Sequence, residues 1–470
     1  MITKEDKKSY FNRIASKRIR QRKAKAYYWN DITNYCNYFI HADSSVLEIG
    51  CGTGELLNQI SAKRKVGIDF SEEMIASAKH QFPYLELHLM LAENIKLAEK
   101  FDVIILSNLI GYLDDIQKVF TNLKLVCHSG TKIIITSYNF LWEPVLKLSE
   151  WIGIKAKGPN QNWLGIADIN NLLFLSGFDV YRNSRRMILP VYIPVLSEIF
   201  NGLFSKLPLF RLACINNFIF ARPIQEKIAA DCSVSVIIPV CNESENIDQV
   251  VLRMPEMGTQ TELIFVESNS TDDSWEKIEL VKNKFSSSHS IKSIRISEGG
   301  KNSAVKKGFE SAQNDILMIL DADLTVAPED LTKFYEAIIT GKGDLINGCR
   351  LVYPVKKEAM RFLNLIANKC FGVLFTWLLE QPVKDTLCGT KVIFKKDYER
   401  LATSRKFFGE IDPFGDFDLL FGAHKLNLSI KEVPVCYHER TYGRSNISRF
   451  KHGFLLLKMC FFAIRKIKFI

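Results

Sequence analysis

A chain of 470 residues with 47% apolar and 24% charged residues is too long for one hydrophobic core and too apolar for a disordered segment, so composition predicts two globular domains. Eleven cysteines without a C-x-x-C pair and eight unclustered histidines exclude a disulfide scaffold and a zinc site of the usual spacing, and predict reduced thiols in the cytoplasm. The formal charge of +10 is terminal: residues 1–30 hold ten Lys/Arg against Glu5 and Asp6, residues 440–470 hold eight and no acid, and the rest is net −6.

The N-terminal MITKEDKKSY has no apolar run behind its charges, so no secretory leader is expected. Nor is there a stretch of about 18 uncharged apolar residues from which a conventional spanning helix would form. Residues 46–56, "VLEIGCGTGEL", pass from an apolar strand through a glycine turn into a helical pattern. A turn of this kind brings a ligand close to bare peptide groups at a helix N-terminus. A dinucleotide fingerprint would require its third glycine at Glu55, which disfavours NAD. Asp69 closes the next strand, "KVGID" (65–69), where a carboxylate accepts hydrogen bonds from ribose hydroxyls, and Ser71 then caps a helix over 71–81. Strands "FDVIILS" (101–107) and "TKIIITS" (131–137), with a helix over 114–126, continue an alternation that predicts a doubly wound parallel sheet. Residues 187–214 break it with an apolar insertion rich in Pro, Leu, Ile and Phe before the last strand, "NNFIFAR" (216–222). The insertion reads as a cap over a substrate pocket, a patch dipping into lipid, or a helical subdomain with its own small core.

In "VLEIGCGTG", "VGIDFSEEMIASAKHQFP" and "FDVIILSNLIGYLDD" the chain resembles the class I S-adenosylmethionine-dependent methyltransferases over most of residues 40–223. The resemblance implies that Gly50, Gly52 and Gly54 pass the amino acid end of S-adenosylmethionine, with Glu48 nearby, and that Asp69 holds the ribose. The family often has Asp before Ala-Glu near the adenine, whereas this chain has Leu91-Ala92-Glu93. Methyl transfer from a sulfonium requires mainly an aligned nucleophile and excluded water, so no fixed base is expected.

A polar stretch at 221–233 resets the pattern, and "VSVIIPV" (234–240), "ELIFVES" (262–268), "SIRIS" (293–297) and "DILMILDAD" (315–323) predict a second α/β domain. Its "MILDADLTVAP" (318–328) places Asp321 and Asp323 one residue apart where a buried strand surfaces. Such a pair either caps a turn or holds Mg²⁺ or Mn²⁺ together with a diphosphate. With "VSVIIPVCNESENI", "LIFVESNSTDDSW" and "GGKNSAVKKGFESA", it resembles the successive blocks of an inverting family 2 glycosyltransferase of GT-A fold. This implies that Pro239, Glu243 and Glu267 line the nucleotide of a nucleotide-sugar donor, that Lys301 lies near it, and that Asp321 and Asp323 hold the metal.

The later blocks, "VKDTLCGTKVIFKKDYERL", "FGDFDLLFGAHKLNLSIKEVPV" and "ERTYGRSN", are similar to polyprenyl-phosphate mannose and glucose synthases. Their pattern R-x-x-G-x-S-K implies that Arg440 and Ser445 contact phosphate. Gly443 also matches, but Asn446 replaces the lysine, leaving Arg444 or Arg449 as substitutes. Asp416 and Asp418 fall where family 2 enzymes place a general base: a sugar hydroxyl acceptor needs one, here assigned to Asp416, whereas a lipid phosphate is already ionised. The C-terminal "RFKHGFLLLKMCFFAIRKIKFI" reads equally as a helix on an anionic membrane surface and as one packed on its own domain. Because its cations alternate with aliphatic residues and no nucleic-acid motif accompanies them, nucleic acid is not an expected partner.

The expectation is an α/β protein of two domains: a Rossmann-like methyltransferase with a basic N-terminal arm (1–224), a linker (225–232), a GT-A glycosyltransferase (233–450) and a basic amphipathic helix (451–470). It is expected to be a bifunctional cytoplasmic enzyme, peripheral on the membrane, acting on a lipid-linked or saccharide acceptor in glycan assembly. An inactive membrane scaffold is the rival from another class.

Overall fold

The computed structural model describes residues 4–152, 158–159, 161–224, 232–287, 290–297, 299–352, 362–403, 416–440, 442 and 449–469. The chain divides into two compact units, Met1–Ile224 and Gln225–Ile470.

The first unit opens with helices α1 (Lys4–Ala24) and α2 (Ala26–Phe39). Its seven strands are β1 (Ser45–Ile49), β2 (Arg64–Asp69), β3 (Glu86–Leu89), β4 (Phe101–Ser107), β5 (Cys127–Tyr138), β6 (Phe178–Arg186) and β7 (Asn216–Pro223), in sheet order β3-β2-β1-β4-β5-β7-β6. Continuous apolar runs such as VLEI and VIIL suit central strands covered on both faces. One face packs Leu47, Ile49, Ile104, Leu106, Ile133 and Ile135 into a buried cluster. The other receives α2, whose Tyr35 and Phe39 meet Phe218 and Phe220 at ring separations of 4.8 and 5.0 Å.

The sheet is not wholly parallel, contrary to the expectation from alternation. β7 runs antiparallel to both β5 and β6 and lies between them. Periodicity reports where strands occur but not their direction, and β7 follows an excursion of about thirty residues rather than a crossover helix.

The basic N-terminal segment is the helix α1, laid against this unit. Lys8 pairs with Glu72 at 2.8 Å, Lys7 with Asp114, and Phe11 sets its ring edge-on to Phe70 and Tyr112. Several of its charges are therefore engaged within the unit.

The second unit holds β8 (Val234–Val240), β9 (Thr261–Ser268), β10 (Ser290–Ile296), β11 (Ile316–Ile319), β12 (Leu345–Cys349), β13 (Lys391–Phe394) and β14 (Ile430–Pro434), ordered β10-β9-β8-β11-β13-β12-β14. β8 to β11 are mutually parallel, and β13 is antiparallel to both neighbours. Successive residues of β8 feed two cores, Ile237 on one face and Val236 and Ile238 on the other. The C-terminal helix Arg449–Ile467 buries Leu456, Met459, Cys460 and Ala463 in the first of these cores, and Lys468 pairs with Glu380 at 2.6 Å. Its other side exposes Phe454, Leu457 and Phe461 beside Lys458 and Arg465. The reading of this helix as packed on its own domain describes the first of these faces. Among the described residues no helix is long and apolar enough to cross a membrane.

Two candidate active sites

In the first unit β1 runs into Gly50, Gly52 and Gly54, at φ of +73°, +55° and +79°. These left-handed angles disfavour any residue with a Cβ. A Cβ at Gly50 would also lie 2.7 Å from Leu109. Asp69, at the end of β2, locks the loop: its carboxylate accepts the Gly52 N–H at 2.8 Å and the Ser71 N–H at 2.9 Å. Burial raises its pKa, opposed by those N–H groups and by Arg18. The expected helix N-terminus contributes little, because α3 (Glu55–Gln59) is only five residues long and its dipole correspondingly small.

Glu48 is buried in the middle of the sheet, with Oε2 lacking a hydrogen-bond partner, and burial pushes its pKa up to about 8 against the opposing field of Arg22. Arg22 itself lies 3.6 Å from Glu55 and 3.9 Å over the Trp29 ring. Beyond Asp69 a cavity of about 450 Å³ is lined by Phe70, Leu89, Met90, Leu91 and Asn94, with Glu5 and Lys8 supplied by α1. A second polar cluster joins Tyr28, whose hydroxyl donates to Asn216 at 2.7 Å and accepts from Asn108 at 3.0 Å. Burial and Tyr138 keep the Tyr28 hydroxyl protonated at neutral pH. The α1 and tyrosine contributions were not legible in the sequence, since neither belongs to the glycine motif.

In the second unit the two aspartates emerge just past β11, and both are paired with cations. Lys301, first residue of the helix Lys301–Ser311, lies 2.5 Å from Asp321. Arg440 spans Asp323 at 2.6 Å and Glu243 at 3.3 Å. Burial opposes ionisation of Asp323, but Arg440 and the Thr325 hydroxyl outweigh it and hold its pKa below the usual range. Glu243 goes the other way, to about 7, chiefly through burial and with Asp323 and Asp321 adding to the negative field that Arg440 only partly offsets.

The sequence-predicted residues therefore separate into groups. Glu243, Lys301, Asp321, Asp323 and Arg440 converge. Pro239 is buried within β8. Glu267 accepts the Ser270 N–H at 2.7 Å and pairs with Arg295 at 3.0 Å, shaping the 269–272 turn. Asp416 and Asp418 begin the helix Asp416–Lys425 and flank Phe417, which is wholly buried. Ser445, Gly443, Arg444 and Asn446 lie outside the described residues.

Two further features escaped the sequence reading. Asn242, at φ +58°, accepts the Thr271 N–H at 2.7 Å and ties the loop after β8 to the turn after β9. Gly389 passes so close to the aspartate pair that a Cβ there would collide with the Asp321 carboxylate and lie 2.5 Å from Lys301 Nζ. Gly389→Ala is expected to weaken nucleotide-plus-Mn²⁺ binding about tenfold, as overpacking by one methyl costs about 1–3 kcal/mol. Calorimetric titration checks this against an unchanged far-UV circular dichroism spectrum.

The sequence model of the family described as Glycosyl transferase family 2 matches residues 235–401, and one described as Methyltransferase domain matches residues 40–165. The chain thus joins a methyltransferase domain to a family 2 glycosyltransferase domain. The second is similar to a dolichol-phosphate mannosyltransferase of Pyrococcus furiosus, 32% identical over 46% of this chain and 59% of that protein. It is likewise similar to one of Saccharomyces cerevisiae, 38% identical over 22% of this chain and 40% of that protein. The chain thus spans about half the length of these two relatives. A polyprenol monophosphomannose synthase of Mycolicibacterium smegmatis is 27% identical over 45% of this chain and 80% of its own length. Among solved structures, a SAM-dependent methyltransferase of Thermotoga maritima aligns at a TM-score of 0.38 and 17% identity, over 46% of this chain and 98% of that one.

Proposed function

We propose that the protein is a bifunctional enzyme: a metal-dependent inverting glycosyltransferase that moves a sugar from a nucleotide-sugar to a polyprenyl phosphate, joined to an S-adenosylmethionine-dependent methyltransferase. The observation that carries the first activity is the convergence of three carboxylates and two cations at the end of β11. Among the described residues no group of three or more His, Cys, Asp or Glu side chains is placed to cage a metal. Asp321 and Asp323 nonetheless fit Mg²⁺ or Mn²⁺, which binds through one or two carboxylates and takes its remaining ligands from water and phosphate. Glu243, its pKa raised chiefly by burial and further by Asp323 and Asp321, adds a third carboxylate beside the pair. Bound there, the cation would offset charge on the departing nucleoside diphosphate.

Lys301 and Arg440 hold their cations against the aspartates and would pair with phosphate oxygens, Arg440 in bidentate fashion. The likeness to polyprenol-phosphate enzymes favours a lipid phosphate acceptor, and the exposed Phe/Leu/Lys face of the C-terminal helix suits work at a membrane surface. The acceptor is tested by Asp416→Asn. Residual transfer within about tenfold of wild type is expected for a phosphate acceptor. A loss of about 10²–10⁴ would assign a saccharide hydroxyl with Asp416 as its base.

In the methyltransferase unit Gly50, Gly52 and Gly54 would take the amino acid end of S-adenosylmethionine and Asp69 the ribose. Adenine would occupy the cavity beside Phe70, where the Asn94 amide could replace the contact absent at Leu91. A thermal shift with S-adenosylmethionine and another with a nucleoside diphosphate plus Mn²⁺ test both halves. Absence of both shifts would leave the inactive scaffold.

A further inference from the structure

The basic helix α1 runs past both ends of the site built on β1 and β2. Asn12 accepts the Ser71 hydroxyl at 2.6 Å, Lys8 pairs with Glu72, and Phe11 meets Phe70 edge-on, which fixes the helix beside the turn after β2. From Lys8 to Arg18 the helix advances about 15 Å. Lys8 borders the cavity beside Phe70, and Arg18 reaches the glycine loop.

Arg18 lies against the bare backbone of that loop. A Cβ placed on Gly52 would be 3.5 Å from its Nε and 3.9 Å from its Cζ and Nη2. The carboxylates near it are committed elsewhere: Asp69 accepts the N–H groups of Gly52 and Ser71, and Glu55 faces Arg22 at 3.6 Å. The field of Arg18 nevertheless reaches Asp69 on one side and Tyr112 on the other. A half-buried guanidinium is thus held over a glycine turn, beside the aspartate that locks it.

Arg22, one helical turn further along α1, has a side chain only 10% exposed. Its Nη2 is buried without a hydrogen-bond partner, and so are Glu48 Oε2 and Glu55 Oε1 on either side of the loop. Buried polar atoms are normally satisfied. Unmatched atoms of both signs around one glycine turn, with a further cation at Gly52, fit a ligand end that itself carries both signs. The loop's peptide groups offer no full positive charge to the anionic half of such a ligand, and Arg18 does.

We propose that α1 reads the amino acid end of S-adenosylmethionine, with Arg18 pairing with its carboxylate over Gly52 and leaving its ammonium to Glu48. This rests on the assignment of that cofactor to the glycine loop, and it makes the N-terminal helix part of the cofactor site. Arg18 thereby selects the complete cofactor over nucleosides that lack the carboxylate.

The test is calorimetric titration of the full chain with S-adenosylmethionine and with its decarboxylated analogue, which keeps the sulfonium, the ammonium and the nucleoside. Wild type is expected to prefer the complete cofactor about 30-fold, the worth of a charge-assisted contact. Arg18→Gln should lower its affinity by about the same factor and bind the analogue within about twofold of wild type. Arg18→Lys, which keeps the charge, should retain part of the preference. A merely structural role would lower both affinities together. Equal losses for the two ligands in Arg18→Gln, or an unaltered preference for the complete cofactor, would overturn the inference. So would a wild type that binds both ligands alike, a comparison that needs no variant to fold. A wild type that binds neither would overturn the cofactor assignment itself, and the inference with it.

Discussion

Asp321→Asn is expected to lower glycosyl transfer about 10³-fold while leaving the fold intact. The side chain is just over one-quarter exposed, and its pairing with Lys301 lies at the surface of the site, so folding depends little on it. On the proposed function, catalysis depends on it much more. Asn keeps the shape but removes one of two formal charges that would be available to a divalent cation, and it takes away the carboxylate with which Lys301 pairs. Groups aimed at charge that develops during the reaction are each worth about 10²–10³ in rate. The additional loss of cation affinity accounts for the higher figure. Removing that charge also takes away the smaller part of what raises Glu243, so its pKa should move slightly below about 7 and stay above the ordinary carboxylate range, because burial remains. Transfer of labelled sugar into lipid extract measures the first effect, and carboxyl-resolved NMR titration the second. Transfer within tenfold of wild type would place the diphosphate elsewhere.

The sequence disclosed those parts of the sites where chemistry and backbone constraint coincide. The three glycines are needed because their φ values are positive, and Asp69 sits at a fixed distance along the chain because β2 lies beside β1. The same holds for Asp321 and Asp323, which surface where β11 leaves the sheet. Less legible were contacts between parts far apart in sequence. Nothing in the charge pattern of residues 4–24 says that Phe11 meets Phe70 or that Glu5 and Lys8 border the same cavity. Gly389 reads as an ordinary loop glycine until β13 brings it against Asp321. The direction of β7 was hidden for a related reason: burial of NFIFA is as complete in an antiparallel strand as in a parallel one. Arg440 was legible as a cation but not as the bridge between Glu243 and Asp323, which depends on a fold spanning about 200 residues.

Glu48→Gln is expected to stabilise the methyltransferase unit, by more as the pH rises. In the folded protein the Glu48 pKa is about 8, against an ordinary value of 4.5, with burial the largest cause and Glu55 and Asp69 adding to it. The sign follows from the protons bound. Between pH 4.5 and about 8 the folded state keeps a proton that the unfolded state has released, so stability is greatest below 4.5, declines through that window and levels off above it. Each unit of such a shift corresponds to about 1.4 kcal/mol. Gln is neutral throughout, removes the slope, and should melt several degrees higher than wild type at pH 8 but at nearly the same temperature at pH 4.5. A buried carboxylate kept at that disadvantage makes sense if its negative form is used. The ammonium of S-adenosylmethionine, bound at the glycine loop, would draw Glu48 into its charged state, so Glu48→Gln should gain stability and lose cofactor affinity together. Melting curves from pH 4.5 to 8.5, with and without S-adenosylmethionine, read both effects. Identical melting of the two proteins at pH 8 would mean that Glu48 is ionised and paired in the fold, with Arg22 as the neighbouring cation able to pair with it.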